Sequence, residues 1–383
     1  MERGRPLNVC IVAHSVKGFG EFVGGSERQS ALLARELATR GHDVAYVVTG
    51  LSGGDRTIDG VRVRAAWDPQ KGVRFVRAVR RYARLWRILG EERADIYYCR
   101  GAGFYTPFVM RAARKVGAAS VLALASDNDL FAASGKLLFR VSSERISALV
   151  GPSVHAGYRR WGLQAADWVA VQNDQQAVAC ETLGLPHVFL PSIVEAPPAE
   201  LLSTATTRDV IWVGNIFEGR RSKGLAELVE LARLLPEVEF TVVGRILGAA
   251  SRPALDDLEG LPNVRVEGPL AHSQTQRLMA EHRLIVNTSP SEGFSNVMLE
   301  GWALGRPCVT LAVNPSGLLT GDRLGVCAGT HLVDMAAAVV ALLDEPAARA
   351  AMGRRCREYV ATTHAASAAC TVFEGLTSAA QPS

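Results

Sequence analysis

Short apolar runs alternate with stretches of helical periodicity along most of the chain. "LNVCIVAH" (7–14) is apolar without interruption from Val9 to Ala13, as expected of a strand buried on both faces. A Gly-rich loop follows, then "SERQSALLARELATRG" (26–41), with Ser26 and Gln29 spaced for a capping box and Gly41 placed for a C-cap. "DVAYVVT" (43–49), "DIYYC" (95–99), "SVLALA" (120–125) and "DWVAVQ" (167–172) are further strands. The stretch "PSIVEAPPAELLSTATTRD" (191–209) has three prolines and no strong periodicity, which marks a linker. The alternation then restarts with strands "VIWVG" (210–214), "VEFTVVG" (238–244), "VRVEG" (264–268), "LIVNTS" (284–289) and "PCVTLA" (307–312). Helices are expected from about Lys223 and about Ser295. Two such units predict two doubly wound parallel sheets facing each other, with a ligand cleft between them.

Composition narrows the class. At 383 residues the chain is long enough for two or three domains, and 48% hydrophobic residues with 21% charged is a globular balance. A net charge of +4 does not call for nucleic acid. No apolar run approaches the ~20 residues of a membrane span, and the N-terminus lacks a long apolar signal region. Seven scattered cysteines with no C-x-x-C pair fit reduced thiols of a cytoplasmic protein.

Three loops carry candidate chemistry. In "KGFGEFVGGSER" (17–28) the glycines can admit a ligand close to the backbone. The spacing of Gly18, Gly20 and Gly24 misses a dinucleotide fingerprint by one residue. "GNIFEGRRSKGLAEL" (214–228) gathers Arg220, Arg221 and Lys223 where a helix begins, the end of the macrodipole that disfavours cations. A bound anion would reconcile the two; a solvated surface loop is the alternative. "SPSEGFSNVMLEGWALGRP" (289–307) places Glu292 ahead of a helix opening at Ser295-Asn296-Val297 and Glu300 within it. Eight helical steps rise about 12 Å, so the two acids would meet different parts of a ligand. Taken alone, they are equally an acid at the helix N-terminus and an ion-paired acid further along.

Together these residues resemble the retaining glycosyltransferases of family 4, which have the GT-B fold. "GGSERQSALLARELATRGHDVAYVVTG" is similar to the family's N-terminal Gly-Gly loop, helix and second strand. "VGNIFEGRRSKGLAELVELARLLPEVEFTVVG" resembles the first unit of its donor domain, and "SPSEGFSNVMLEGWALGRPCVT" its E-x7-E motif. "DEPAARAAMGRRCREYV" (344–360) resembles its closing helices, the last of which crosses back. The resemblance implies an acceptor-side Rossmann-like domain over 1–195, a nucleotide-sugar domain over 205–360, and a returning helix and tail over 361–383. It implies that Lys223 binds the donor diphosphate, that Glu300 binds the ribose, and that Glu292 meets hydroxyls of the transferred sugar. Gly293, Phe294, Ser295 and Asn296 would line the donor from the helix start, and Gly24 and Gly25 would close on the diphosphate.

The chain departs from the family where the donor-domain strand ends Gly214-Asn215 rather than Gly-Arg; Arg220 or Arg221 is the substitute cation. "LALASDND" puts Ser126 and Asp127 where the family often has a histidine near the sugar. "SIVE" (192–195) replaces an interdomain Asn-Gly-Val-Asp. The expected reaction moves a sugar from a nucleotide-diphosphate sugar to a glycan, lipid-linked or small-molecule acceptor, with no metal or other cofactor. An inactive nucleotide-sugar-binding subunit and a nucleotide-sugar epimerase of the same fold stay open. A glycoside hydrolase is disfavoured, because its two acids flank a single bond. In "KGVRFVRAVRRYARLWRILGEERAD" (71–95), Arg74, Arg77, Arg81 and Arg84 share one helical face, while Val76, Val79, Ala83, Trp86 and Leu89 can form another. Such a helix either packs on the N-terminal sheet or docks the enzyme, through 71–89, on anionic lipid at the inner membrane face.

Overall fold

The computed structural model describes residues 5–15, 19–20, 25–48, 54–66, 74–103, 105–131, 152–215, 223–245, 251–320 and 324–379. The chain divides into two compact units. One holds the N-terminal part up to Ile193 together with the stretch from Ala366 onward; the other holds Val194–Ala365.

The sheet of the first unit contains β1 (Asn8–Ala13), β2 (Asp43–Val48), β3 (Arg56–Ile58), β4 (Val61–Ala65), β5 (Ile96–Arg100), β6 (Ala119–Ala123), β7 (Trp168–Val171) and β8 (His187–Phe189). Their order is β3-β4-β2-β1-β5-β6-β7-β8, parallel except for β3, which is antiparallel to β4. Helices cover both faces, so β1 and β2 bury every residue after their first. The pattern of apolar runs missed β3, β4 and β8. β3 and β4 form a hairpin on Asp59-Gly60, both at positive φ (50° and 78°), the geometry of a two-residue turn matched to strand twist.

The helix Gly25–Thr39 starts ahead of Ser26, so Ser26 is no cap. Nor does Gln29 close a capping box. It is buried, and its amide pairs both ways with the backbone of Ile193, donating at 2.9 Å and accepting at 2.6 Å. Gly41, at φ 92°, ends the helix as expected: its N–H donates to Ala38 and that of His42 to Leu37. The last helix, Ala366–Ala379, contributes Ala369, Cys370, Phe373 and Leu376 to the core that holds Leu33, Leu37 and Tyr98. Arg40 and His42 both bond Glu374, at 3.0 Å each.

The helix Arg74–Glu92 buries Leu85, Ile88 and Leu89 and stacks Tyr82 on Phe108 at 5.0 Å. Ala83 is exposed and does not belong to the apolar face expected of it; Arg84 is exposed as well. Residues 71–73 and the side chains of Arg74, Arg77 and Arg81 lie outside the description.

The second unit contains β9 (Arg208–Val213), β10 (Phe240–Val243), β11 (Val264–Gly268), β12 (His282–Asn287), β13 (Cys308–Thr310) and β14 (Gly325–Cys327). Their order is β11-β10-β9-β12-β13-β14, all parallel. Within 191–209 the chain is not all linker: Ala199–Leu202 is a short helix and β9 begins at Arg208. The helix Pro346–Thr363 stays in this unit, and the crossing comes after it, at Ala366. All seven cysteines are free, and six are buried. Among the described residues no helix is long and apolar enough to cross a membrane.

Candidate active site

The order of the second sheet locates a crevice. From β9 the chain moves to β10 on one side, and from β12 it moves to β13 on the other. The loops leaving the carboxyl ends of these two neighbours part company there, which is where open α/β sheets bind ligands. The loop after β9 delivers Lys223 and the loop after β12 delivers Glu292.

The two side chains meet: Lys223 Nζ lies 3.0 Å from Glu292 Oε1. Backbone contacts fix that meeting. Gly224 sits at φ 72° against the backbone of Thr288, and a Cβ there would run into the Thr288 carbonyl. Thr288 Oγ1 accepts from the indole N–H of buried Trp212 at 3.1 Å and donates to the Lys223 carbonyl at 3.2 Å. Gly244 plays a similar part at the neighbouring strand end, where a Cβ would strike the carbonyl of Gly214. Asn215 accepts the backbone N–H of Arg245 at 2.9 Å, so its carboxamide oxygen is used in holding the next loop.

Burial pushes the Glu292 carboxyl up. The Lys223 ammonium, with hydrogen bonds from Ser289, Lys223 and Ser295, outweighs it and holds the group below the ordinary carboxylate range. The Ser289 hydroxyl donates to Glu292 Oε1 at 2.7 Å. Ser295 is the N-cap of the helix Asn296–Ala303, yet its side chain makes no cap bond and turns to Glu292 instead. Glu292 therefore lies in a loop, four residues before the first helical residue. The expected rise of eight helical steps between Glu292 and Glu300 does not apply.

Glu300 is on the helix, with Oε2 3.9 Å from His272 Nδ1. Gly301 lets the helix press on Ile285 of β12. Phe294 is buried, edge-on to Trp302 at 6.1 Å and to His364 at 5.0 Å, so its ring anchors the loop and only its backbone is left to meet a ligand. The structure thus brings Lys223, Glu292 and Ser295 into one cluster, with Gly293, Phe294, Asn296 and Glu300 on the same loop and helix. Ser289, Thr288 and His272 join them without having been singled out. Ser289 was visible only as a turn former, and nothing in the spacing ties His272 to Glu300.

In the first unit, Ser126 and Asp127 follow the carboxyl end of β6. Asp127 Oδ1 accepts from Gln176 at 2.9 Å, and Asp129 Oδ2 accepts the backbone N–H of Ala125 at 2.8 Å. Gly25 opens its helix and is exposed. Gly24, Arg220 and Arg221 lie outside the described residues.

Residues 24–191 match the family model "Glycosyl transferase 4-like domain", and residues 207–345 match "Glycosyl transferases group 1". The chain belongs to the family-4 type of glycosyltransferases. This glycosyltransferase is 24% identical to a glycogen synthase of Mycobacterium tuberculosis, over 88% of its own length and 86% of the relative's. Sucrose-phosphate synthase from Thermosynechococcus elongatus shares its fold at a TM-score of 0.75 and 17% identity, covering 97% of this chain and 99% of that one. HepE from Anabaena, crystallised with UDP and glucose, matches at a TM-score of 0.68 and 15% identity, over 97% and 100% of the two chains. The enzyme accordingly has the GT-B fold, built on two Rossmann-like domains.

Proposed function

We propose that this glycosyltransferase takes a sugar from a nucleotide-diphosphate sugar and passes it, with retention and without a metal, to a glycan, lipid-linked or small-molecule acceptor. The observation that carries the proposal is the Lys223–Glu292 pair at the switch point of the second sheet, with Glu300 on the helix behind it. HepE, of similar fold, binds UDP, which supports a nucleotide donor. Breaking the glycosyl–phosphate bond builds charge on a diphosphate leaving group, so fixed positive potential matters most. Lys223 has three donors and can keep one on Glu292 while giving others to phosphate. The N-terminus of Asn296–Ala303 adds a partial positive charge beside it. Glu292, kept ionised, can accept hydrogen bonds from sugar hydroxyls and orient the ring. Glu300 would take the ribose. No carboxylate is assigned as nucleophile; in the proposed same-face attack the leaving phosphate takes the acceptor's proton.

The helix Arg74–Glu92 spends Leu85, Ile88 and Leu89 on its own core. That favours a solvated helix, with any contact to anionic lipid running through its arginines. The deciding experiment is a thermal-shift screen of UDP-, GDP- and ADP-sugars, followed by product analysis with and without acceptor in EDTA. One nucleotide class should stabilise by about 2.7 kcal/mol at a hundredfold excess over Kd, and transfer should survive chelation. Stabilisation with no turnover would make the protein a binding subunit. Conversion of the donor sugar without acceptor would make it an epimerase.

A further inference from the structure

The first sheet has a switch point of its own. From β1 the chain moves to β2 on one side, and from β5 it moves to β6 on the other. The carboxyl ends of β1 and β5 therefore flank a crevice of the kind in which open α/β sheets take ligands. Arg100 is the last residue of β5, on that rim. Its neighbours in register are small. Ala123 pairs with it on β6, and on β1, where Val12 pairs with Cys99, the next residue is Ala13.

Arg100 ends a chain of hydrogen bonds that runs along this rim. Gln176 donates to Asp127 at 2.9 Å, and its amide oxygen accepts the backbone N–H of Gln172 at 2.8 Å. The Gln172 amide donates to Ser192 Oγ at 2.9 Å, and Arg100 Nη2 reaches the same oxygen at 3.4 Å. Gln172, Gln176 and Ser192 are all buried.

Nothing in that chain neutralises the guanidinium. Arg100 is half-buried, its Nε is buried with no acceptor, and among the described residues it has no carboxylate partner. Beside it is the Tyr98 phenol, two residues earlier on the same strand face. Burial raises the pKa of that hydroxyl and the Arg100 charge offsets burial only in part, so the phenol stays neutral. The acids of the neighbouring elements are held by neutral donors. Ser15 donates to Glu27 at 2.7 Å, Gln176 holds Asp127, and the backbone N–H of Ala125 holds Asp129. A half-buried cation with neutral partners and an unmet N–H is unfavourable for the fold by itself, and an anion brought by a ligand would offset that.

We propose that Arg100 selects the acceptor, and that the acceptor carries an oxyanion, a phosphate or a carboxylate, which this guanidinium receives. The inference rests on reading the first unit as the acceptor side. Nε is closed off, so the anion meets the end of the fork, Nη1 and Nη2, a planar set of donors that suits two oxygens of one group. Asp127, at the far end of the chain of bonds, can accept from a hydroxyl of the same acceptor.

The probes are glycerol 3-phosphate, glycerate and glycerol, which share a three-carbon frame and differ in the anion. Each is titrated by calorimetry at constant ionic strength, once without nucleotide and once with the donor site filled by the nucleoside diphosphate that the donor screen selects. The parent should bind an anionic probe and not glycerol; the tighter of the two anions assigns phosphate or carboxylate. In Arg100→Gln that affinity should fall at least about tenfold, the scale of one charge-assisted contact, while nucleotide affinity is unchanged. Its Tm without ligand should equal or exceed the parent's, because the variant removes an unmet buried N–H; a purely structural arginine would lower it. Arg100→Lys keeps the charge without the fork and should fall between the two, and it carries the test if Arg100→Gln is too unstable to titrate. No preference for the anions over glycerol in the parent, or equal affinity in the variants that fold, would overturn the proposal whatever the nucleotide does. Loss of nucleotide binding in the parent, with an anion affinity that still depends on Arg100, would remove the donor reading and leave the anion site standing.

Discussion

In the proposed reaction Lys223 is the residue on which the donor chemistry would turn. It would offer charge to a phosphate, and it keeps the buried Glu292 carboxyl ionised. Lys223→Ala should therefore weaken binding of the nucleoside diphosphate by about 1.5–3 kcal/mol while barely changing that of the nucleoside; equal losses in titration would remove the phosphate role. The same variant leaves Glu292 with its burial and without its counter-charge. Because the native pairing depresses the carboxyl, turnover in the parent should hold down through the ordinary carboxylate range and fail only below it. In Lys223→Ala the acid limb of the pH–rate profile should move upward, and an unmoved limb would show that the ammonium does not govern this carboxyl. The sequence displayed both residues, one in a basic loop and one in an acidic motif. It did not display that they touch, because their meeting depends on Gly224 lying against Thr288, a contact between loops far apart in the chain.

Among the elements, the helix Asn296–Ala303 and strand β12 bear most on the site. Glu292 lies in the loop and Glu300 on the helix, so the two acids should fail differently. Glu300→Ala should cost nucleotide affinity, and Glu292→Ala mainly turnover; parallel losses in both assays would end the division of roles. β12 opens with His282, which is buried and bound through Nδ1 to the Leu278 carbonyl and through Nε2 to Thr241. Burial lowers its pKa from 6.5 to about 4. The native state thus prefers the neutral ring, and the unfolded chain takes the proton first. That contribution is complete above pH 6.5, is lost as the pH falls toward about 4, and amounts to about 3 kcal/mol in all. Urea midpoints measured from pH 7 to pH 5 should fall in the parent and stay nearly level in His282→Gln; parallel curves would refute it. The long buried strands were legible as unbroken apolar runs. The three-residue edge strands β8 and β14 were not, since so short a run carries no periodicity. The β3–β4 hairpin was legible in principle, from Asp59-Gly60 and the alternation of "VRVRA", a signal that a search for continuous apolar runs passes over.

For the molecule as a whole, the division into two units separates two kinds of failure. Phe373 is fully buried and edge-on to Tyr98 at 5.8 Å, in the core of the first unit. Phe373→Ala should destabilise that unit by about 3–5 kcal/mol while nucleotide binding, assigned to the second, persists. Loss of both together by proteolysis and titration would mean that the units do not behave separately. The two-unit plan itself was readable from the restart of strand–helix alternation after residue 209. Where the chain returns came only from the family resemblance, which put it in 361–383, because "HAASAACTVFEGL" is a helix of small and apolar residues whose partner no local pattern names.

That return sets an order of assembly during synthesis. Every strand of the first unit leaves the ribosome before the second unit is made, yet Ala369, Cys370, Phe373 and Leu376 of its core follow the whole second unit in the chain. Until those residues emerge, the helix Gly25–Thr39 and the sheet beneath it leave Leu33, Leu37 and Tyr98 uncovered. The second unit, continuous in sequence, has no such wait. The nascent enzyme therefore completes its second half first and carries an unfinished, adhesive first half throughout, the period in which a chaperone has most to protect.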